Sequence, residues 1–202
     1  DELAKRVQAL ESEKQLLWEE LELQREWRRI ASEGLSRVRA GEPWRTALRY
    51  VPEVNSLSEA VAVARKDLAD KIVFALNSKS DLDSPFTHPT DVLTAFRWLA
   101  GPFWESKALR KAIGMPEESL KIVLPNWSYA GNQTVTTLGR FEEWYRVDYA
   151  LPGGRKAYAE QHLKFGVGAD PANMIRIGFL WDEGKNVWVI GYIGPHQRNT
   201  KS

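Results

Sequence analysis

The run from Arg176 to His196, RIGFLWDEGKNVWVIGYIGPH, limits what this chain can fold into more than any other stretch. Two blocks rich in β-branched and aromatic residues, RIGFLWD and VWVIGYIG, flank the polar turn DEGKN. Such blocks favour strands, and a short polar turn between them favours a hairpin. A sheet this apolar must bury at least one face against another layer.

The chain before the hairpin has a similar texture. Residues 142–151, EEWYRVDYAL, alternate; PGGR is a turn signal; KAYAEQHLKFG over 156–166 reads as a second strand; GVGADPAN over 166–173 is a longer loop. Four consecutive strands predict an antiparallel meander within residues 133–196. The preceding WSYAGNQTVTTLGRF reads as a loop with β character near its end.

Period two sorts these strands into faces. Ile175, Ile177, Phe179 and Trp181 share one face, and Leu163 and Phe165 join it. In the last strand Val187, Val189 and Ile193 oppose Trp188, Ile190 and Tyr192, and both sets are apolar. The opposite, polar face collects Arg146, Asp148, Glu160, His162, Lys164 and Arg176, with His196 past the last strand able to reach its rim. This face is the candidate site. Arg146, Asp148, Glu160, Lys164, Tyr192 and Arg198 are candidate ligand contacts. His162 and His196 supply groups that titrate near neutrality and suit acid–base work. A solvated face of cross-strand ion pairs would give the same pattern. Gly178 and Gly191, inside strands, suggest a close approach by a backbone or a ligand.

The middle of the chain is helical. Ser56-Leu-Ser-Glu59 has the capping-box pattern, and Leu57, Val61, Ala64, Leu68, Ile72 and Leu76 predict one helix over 57–76. Pro89 suits the first turn of a helix that Gly101-Pro102 should stop. A further helix over about 104–113 and a short one in MPEESLKIVL complete a helical layer over 43–124. His88, before Pro89, reads as a cap or loop residue.

Residues 1–40 form a segment of their own. Leu3, Val7, Leu10, Leu17 and Leu21 lie on alternating spacings of four and three, with Lys14 in the one polar slot. That is a coiled-coil seam, and it predicts a homo-oligomer through residues 3–21. Residues 1–24 hold seven acids and three bases and residues 25–39 two acids and five bases, which complements the helix dipole. A possible protein partner would dock on the same arm.

Composition closes off several classes. With no Cys there are no disulfides, thiolate metal sites or Cys nucleophile, and a reducing, cytoplasmic compartment fits. No apolar run reaches membrane-spanning length, and no signal peptide is visible. The chain opens at Asp1 rather than Met, which leaves room for a longer parent. The net charge of +1 means that any nucleic-acid footprint must be local. No phosphate-loop, GxSxG or HExxH motif and no metal-ligand spacing occurs, so neither a metal nor a cofactor is expected.

Helices followed by a meander whose last strands read RIxFxW…VxVIGYIGPH resemble the RelE/ParE-like toxin fold of bacteria over Trp144 to Arg198. That resemblance implies a twisted antiparallel sheet behind helices and, in many members, metal-independent cleavage of mRNA. It would have Arg176 and Lys164 neutralise phosphate charge, and His162 or His196 act as acid or base. The expected architecture is α+β: a coiled-coil helix (1–40), then an α+β domain (41–202). Three functions compete: an oligomerised regulatory or defence-type module that binds a ligand or partner on the polar sheet face, a RelE-like RNase, and a structural scaffold.

Overall fold

A computed structural model describes residues 51–109, 116–131, 133–166 and 170–195, together with Arg6, Lys14 and Leu48. Arg6 and Lys14 are helical and exposed. The rest of the predicted coiled-coil seam over residues 3–21 lies outside the described residues.

Helix α1 spans Leu57–Asp67. Ser56 caps it, with its Oγ accepting from the Glu59 N–H at 3.1 Å. Glu59 reaches one residue further back than a capping box requires, and its Oε2 accepts from the Asn55 N–H at 2.7 Å. The predicted continuation to Leu76 is a correction. The helix ends at Asp67, and Ile72–Phe74 forms strand β1. Spacings of four are even numbers, so Ile72 and Leu76 share a face in a strand as well as in a helix. The β-branched pair Ile72–Val73 and a free sheet edge decide the matter.

Helix α2 spans Pro89–Trp98, with Pro in its first turn and His88 at the N-cap, where its side chain makes no capping bond. Gly101-Pro102 does not stop the helical path but kinks it. A π-helical turn covers Leu99–Phe103, Gly101 leaves helical geometry (φ −97°, ψ −108°), and α3 follows over Trp104–Ala108. Pro102 lacks the N–H for a regular turn, and the wider turn absorbs that loss. The kink drives Phe103 between two indoles, stacked on Trp98 at 4.7 Å and on Trp188 at 4.6 Å. Helix α4 spans Pro116–Val123, and its buried Ser119 accepts a hydrogen bond from Trp98 Nε1.

The stretch read as loop contains strand β2 (Trp127–Ala130) and helix α5 (Val135–Arg140). Residues 142–151 are not a sheet strand either. Glu142–Tyr145 is a helical turn, α6, and Arg146–Val147 is strand β3, which pairs only with β4 (Ala157–Tyr158). The second predicted strand splits into β4 and β5 (Gln161–Phe165). The hairpin is present as β6 (Ile175–Asp182) and β7 (Val187–Gly194).

Among the described residues the main sheet has five strands in the order β1-β7-β6-β5-β2, with β3-β4 as a separate ribbon. Strand β1 runs parallel to β7 and the other neighbours are antiparallel. The chain is therefore α+β with a mixed sheet, and only β5, β6 and β7 follow one another as a meander.

A bulge revises the faces of β7. Gly178 pairs with Tyr192 while Phe179 pairs with Ile190, so Gly191 is an extra residue. Beyond it the alternation inverts. Trp188, Ile190 and Ile193 share the helix-facing core, while Val187 and Val189 lie on the other side. On the helix side α1, α2 and the π-turn cover Ile175, Ile177, Phe179 and Trp188, all fully buried. On the other side the ribbon packs Val147, Ala157 and Ala159 against Leu180, Val187 and Val189. Among the described residues no helix is long and apolar enough to cross a membrane.

Candidate functional site

The back of the sheet is not one polar surface. The ribbon covers the half near the β6–β7 turn, and a polar cluster remains at the other end. Two cross-strand rows build this cluster. In one, Ser128, Lys164, Arg176 and Gly194 are successive partners across β2, β5, β6 and β7. In the next, Ala130, His162, Gly178 and Tyr192 are aligned. Small residues, Ser128, Ala130, Gly178 and Gly194, stand at the remaining positions of the two rows.

Lys164 and Arg176 are directly opposite, and like charges so placed repel. Among the described residues no carboxylate pairs with either. Arg176 is partly occupied: its Nη1 donates to the carbonyls of Phe165 and Ile175, each at 2.9 Å, and to Gly166 at 3.4 Å, and its Nη2 also reaches Gly166. These bonds pin the start of the β5–β6 connection. Gly166 is in the left-handed region (φ +72°), and a Cβ there would stand 1.9 Å from the Asn173 carbonyl oxygen. The Nε–H of Arg176 and one Nη2 hydrogen keep no partner among the described residues. Burial lowers the pKa of this guanidinium somewhat, and Tyr192 opposes that shift.

His162 stands beside both cations. Burial first, then the charges of Lys164 and Arg176, push its pKa down to about 4, so the ring is neutral at pH 7. Gln133 lies 3.1 Å from Nδ1; with the Gln amide as donor, the ring proton resides on Nε2. Tyr192 is buried beneath Trp144, ring centroids 6.0 Å apart, and its hydroxyl lies over Gly194, the β7 partner of Arg176.

The other expected contacts do not join this cluster. Arg146 and Asp148 are exposed on the ribbon, where Arg146 lies 3.9 Å from Glu142. They line a separate broad groove with Asn77, Tyr149 and Lys156. Glu160 faces a different cleft, at the ribbon's far end. His196 and Arg198 lie outside the described residues. The two glycines were expected to mark a close approach. At Gly191 the approaching group is the ribbon: a Cβ would stand 2.3 Å from Val147 Cγ2 and 3.1 Å from the Ala159 Cβ.

The sequence reading missed Gln133 and Trp144, which lie in the stretch taken for loop and strand. No sequence signal placed them over the back of the sheet. Among the described residues no group of three or more His, Asp or Glu side chains comes together as metal ligands. What remains is a compact patch of positive charge with a neutral imidazole at its edge. Such a patch can hold an anion without a metal, because Lys164 and Arg176 offer donors that keep no partner among the described residues. No protein-family model, no curated protein and no solved structure matches this chain.

Proposed function

We propose that this protein is a coiled-coil-oligomerised binding module of bacterial regulatory or defence type that holds an anionic group of its partner against Lys164 and Arg176. The observation that carries this reading is the placement of two cations opposite each other on adjacent strands, with no acid paired with either among the described residues. Folding alone does not favour such an arrangement, and a bound phosphate or carboxylate would relieve the repulsion. An arm over residues 3–21 would make the module dimeric or larger and raise its avidity.

The test is equilibrium binding of inorganic pyrophosphate and of a short single-stranded RNA, measured at several salt concentrations. Binding should weaken with salt, and Lys164→Glu should abolish it. Affinity that ignores both salt and Lys164→Glu would sink the reading.

A second reading, the metal-independent RNase suggested by the RelE/ParE-like texture, is favoured by one feature. His162 lies beside the two cations, where an attacking 2′-OH and a phosphate would meet acid–base and charge-stabilising groups together. An anion seated there would also raise the His162 pKa towards the useful range. RNA cleavage in the presence of a chelator, lost in His162→Gln and retained in the wild type, supports it. RNA that binds but is never cut leaves the binding module standing and removes the nuclease.

A further inference from the structure

Arg176 divides its donors. Nη1 and Nη2 both face the Gly166 carbonyl at 3.4 Å, and Nη1 also serves the Phe165 and Ile175 carbonyls at 2.9 Å. The end of the guanidinium is therefore taken by the start of the β5–β6 connection. Among the described residues its Nε–H and second Nη2–H are left. These two lie parallel along one side of the rigid guanidinium plane. That side is a fork that can grip two oxygens of one anion.

Lys164 is the direct partner of Arg176 across β5 and β6. Opposed residues on one face have Cβ atoms about 4.5–5.5 Å apart, so one small group can reach both side chains. Both residues are only partly buried, and among the described residues the Lys164 ammonium has no ion pair and no hydrogen bond. His162 follows on the same face of β5. With Gln133 at its Nδ1, it offers an N–H but brings no charge at neutral pH. The patch thus presents two positive charges.

The cations stop there among the described residues. Their two rows continue as Ser128 and Gly194, and as Ala130, Gly178 and Tyr192. Lys79, over the Trp144 ring, has Glu143 at 3.9 Å. A nucleic-acid backbone is held by a track of cations, one phosphate after another. A single pair suits a single group.

We infer that the patch takes a phosphate dianion, free or as a terminal monoester, with two oxygens on the Arg176 fork and a third on Lys164. This rests on the reading of the patch as an anion site. A phosphate monoester brings close to two charges and three acceptor oxygens. A carboxylate or an internal phosphodiester brings one charge and two free oxygens, which leaves one of the two cations uncompensated.

The test uses the full chain at about pH 8, where phosphate monoesters are dianions. It follows the His162 ring resonances by NMR, assigned with His162→Gln. Phenyl phosphate should shift them and saturate. Methyl phenyl phosphate and benzoate, each with one charge, should bind at least about tenfold more weakly. Lys164→Gln should bring the three affinities within about threefold of one another, because the second charge then lacks its cation, and should leave thermal unfolding unchanged. Inorganic phosphate binding as tightly as phenyl phosphate assigns the patch to the free ion, and weaker binding assigns it to monoesters. Equal binding of benzoate or methyl phenyl phosphate, or a dianion preference that survives Lys164→Gln intact, would overturn the inference and leave the anion site standing. His162 resonances that no anion moves would overturn both.

Discussion

The two faces of the central sheet are built by different rules. The helix-facing side is uniform: Ile175, Ile177, Phe179, Trp188, Ile190 and Ile193 are all fully buried, and the Trp98–Phe103–Trp188 stack ties them to the π-turn. The back is divided. The ribbon seals one half with small aliphatic side chains, and Lys164, Arg176 and His162 hold the other with charge and hydrogen bonds. One side is therefore organised for stability. The other mixes stability with two opposed cations whose mutual repulsion works weakly against the fold. Their contrast makes the back the place to look for function.

Perturbing each face should separate these roles. The largest effect is expected on the helix side: Trp188→Ala empties the centre of the aromatic stack and should destabilise by about 3–5 kcal/mol, read by urea unfolding. On the back, acid should unmask His162. Its ordinary pKa is 6.5 and its folded value about 4. Between those values the unfolded chain holds more protons. Stability is therefore complete above pH 6.5 and declines as pH falls towards 4, by on the order of 3 kcal/mol at most. His162→Gln should flatten this part of the stability–pH profile; an equally steep profile in the variant would contradict the assignment. Gly191→Ala drives a methyl into Val147 and should destabilise by about 1–3 kcal/mol, with partial rescue in the double variant with Val147→Ala. Full additivity in that cycle would remove the ribbon contact as the reason for the glycine. The smallest effect belongs to Lys164→Gln: stability should change by less than about 0.5 kcal/mol, while the His162 pKa, followed by NMR, should rise.

Much of the fold was legible in the sequence where periodicity and local chemistry agree. The β6–β7 hairpin follows from two apolar blocks around DEGKN, and the start of α1 from Ser56 and Glu59. Other elements follow from tertiary contacts that no local pattern encodes. Ile72–Phe74 carries a spacing that satisfies helix and strand alike, and its partner β7 lies far along the chain. Trp127–Ala130 is short, and its strand character depends on β5. The bulge at Gly191 shifts the alternation by one residue, which a strict period of two cannot foresee. The same limit applies to the site. Period two placed His162, Lys164 and Arg176 on one face. It also placed Arg146 and Asp148 there, because it treated residues 142–151 as a strand of the same sheet. Residues 142–151 instead begin with a helical turn and continue as the short strand β3 of a separate ribbon, which carries both residues away from the sheet.

The parallel pairing of β1 with β7 has a consequence for how the chain is made. Ile72–Phe74 leaves the ribosome long before Val187–Gly194, yet the two are neighbours in the sheet. Until the hairpin arrives, β1 is an apolar ribbon of backbone with unused hydrogen-bonding groups and nothing native to pair with. Closing so distant a contact is entropically expensive, so this pairing is expected to form late. A nascent chain stalled before Val187 would lack the strand that organises both faces, and it would expose a sticky edge for as long as the stall lasted.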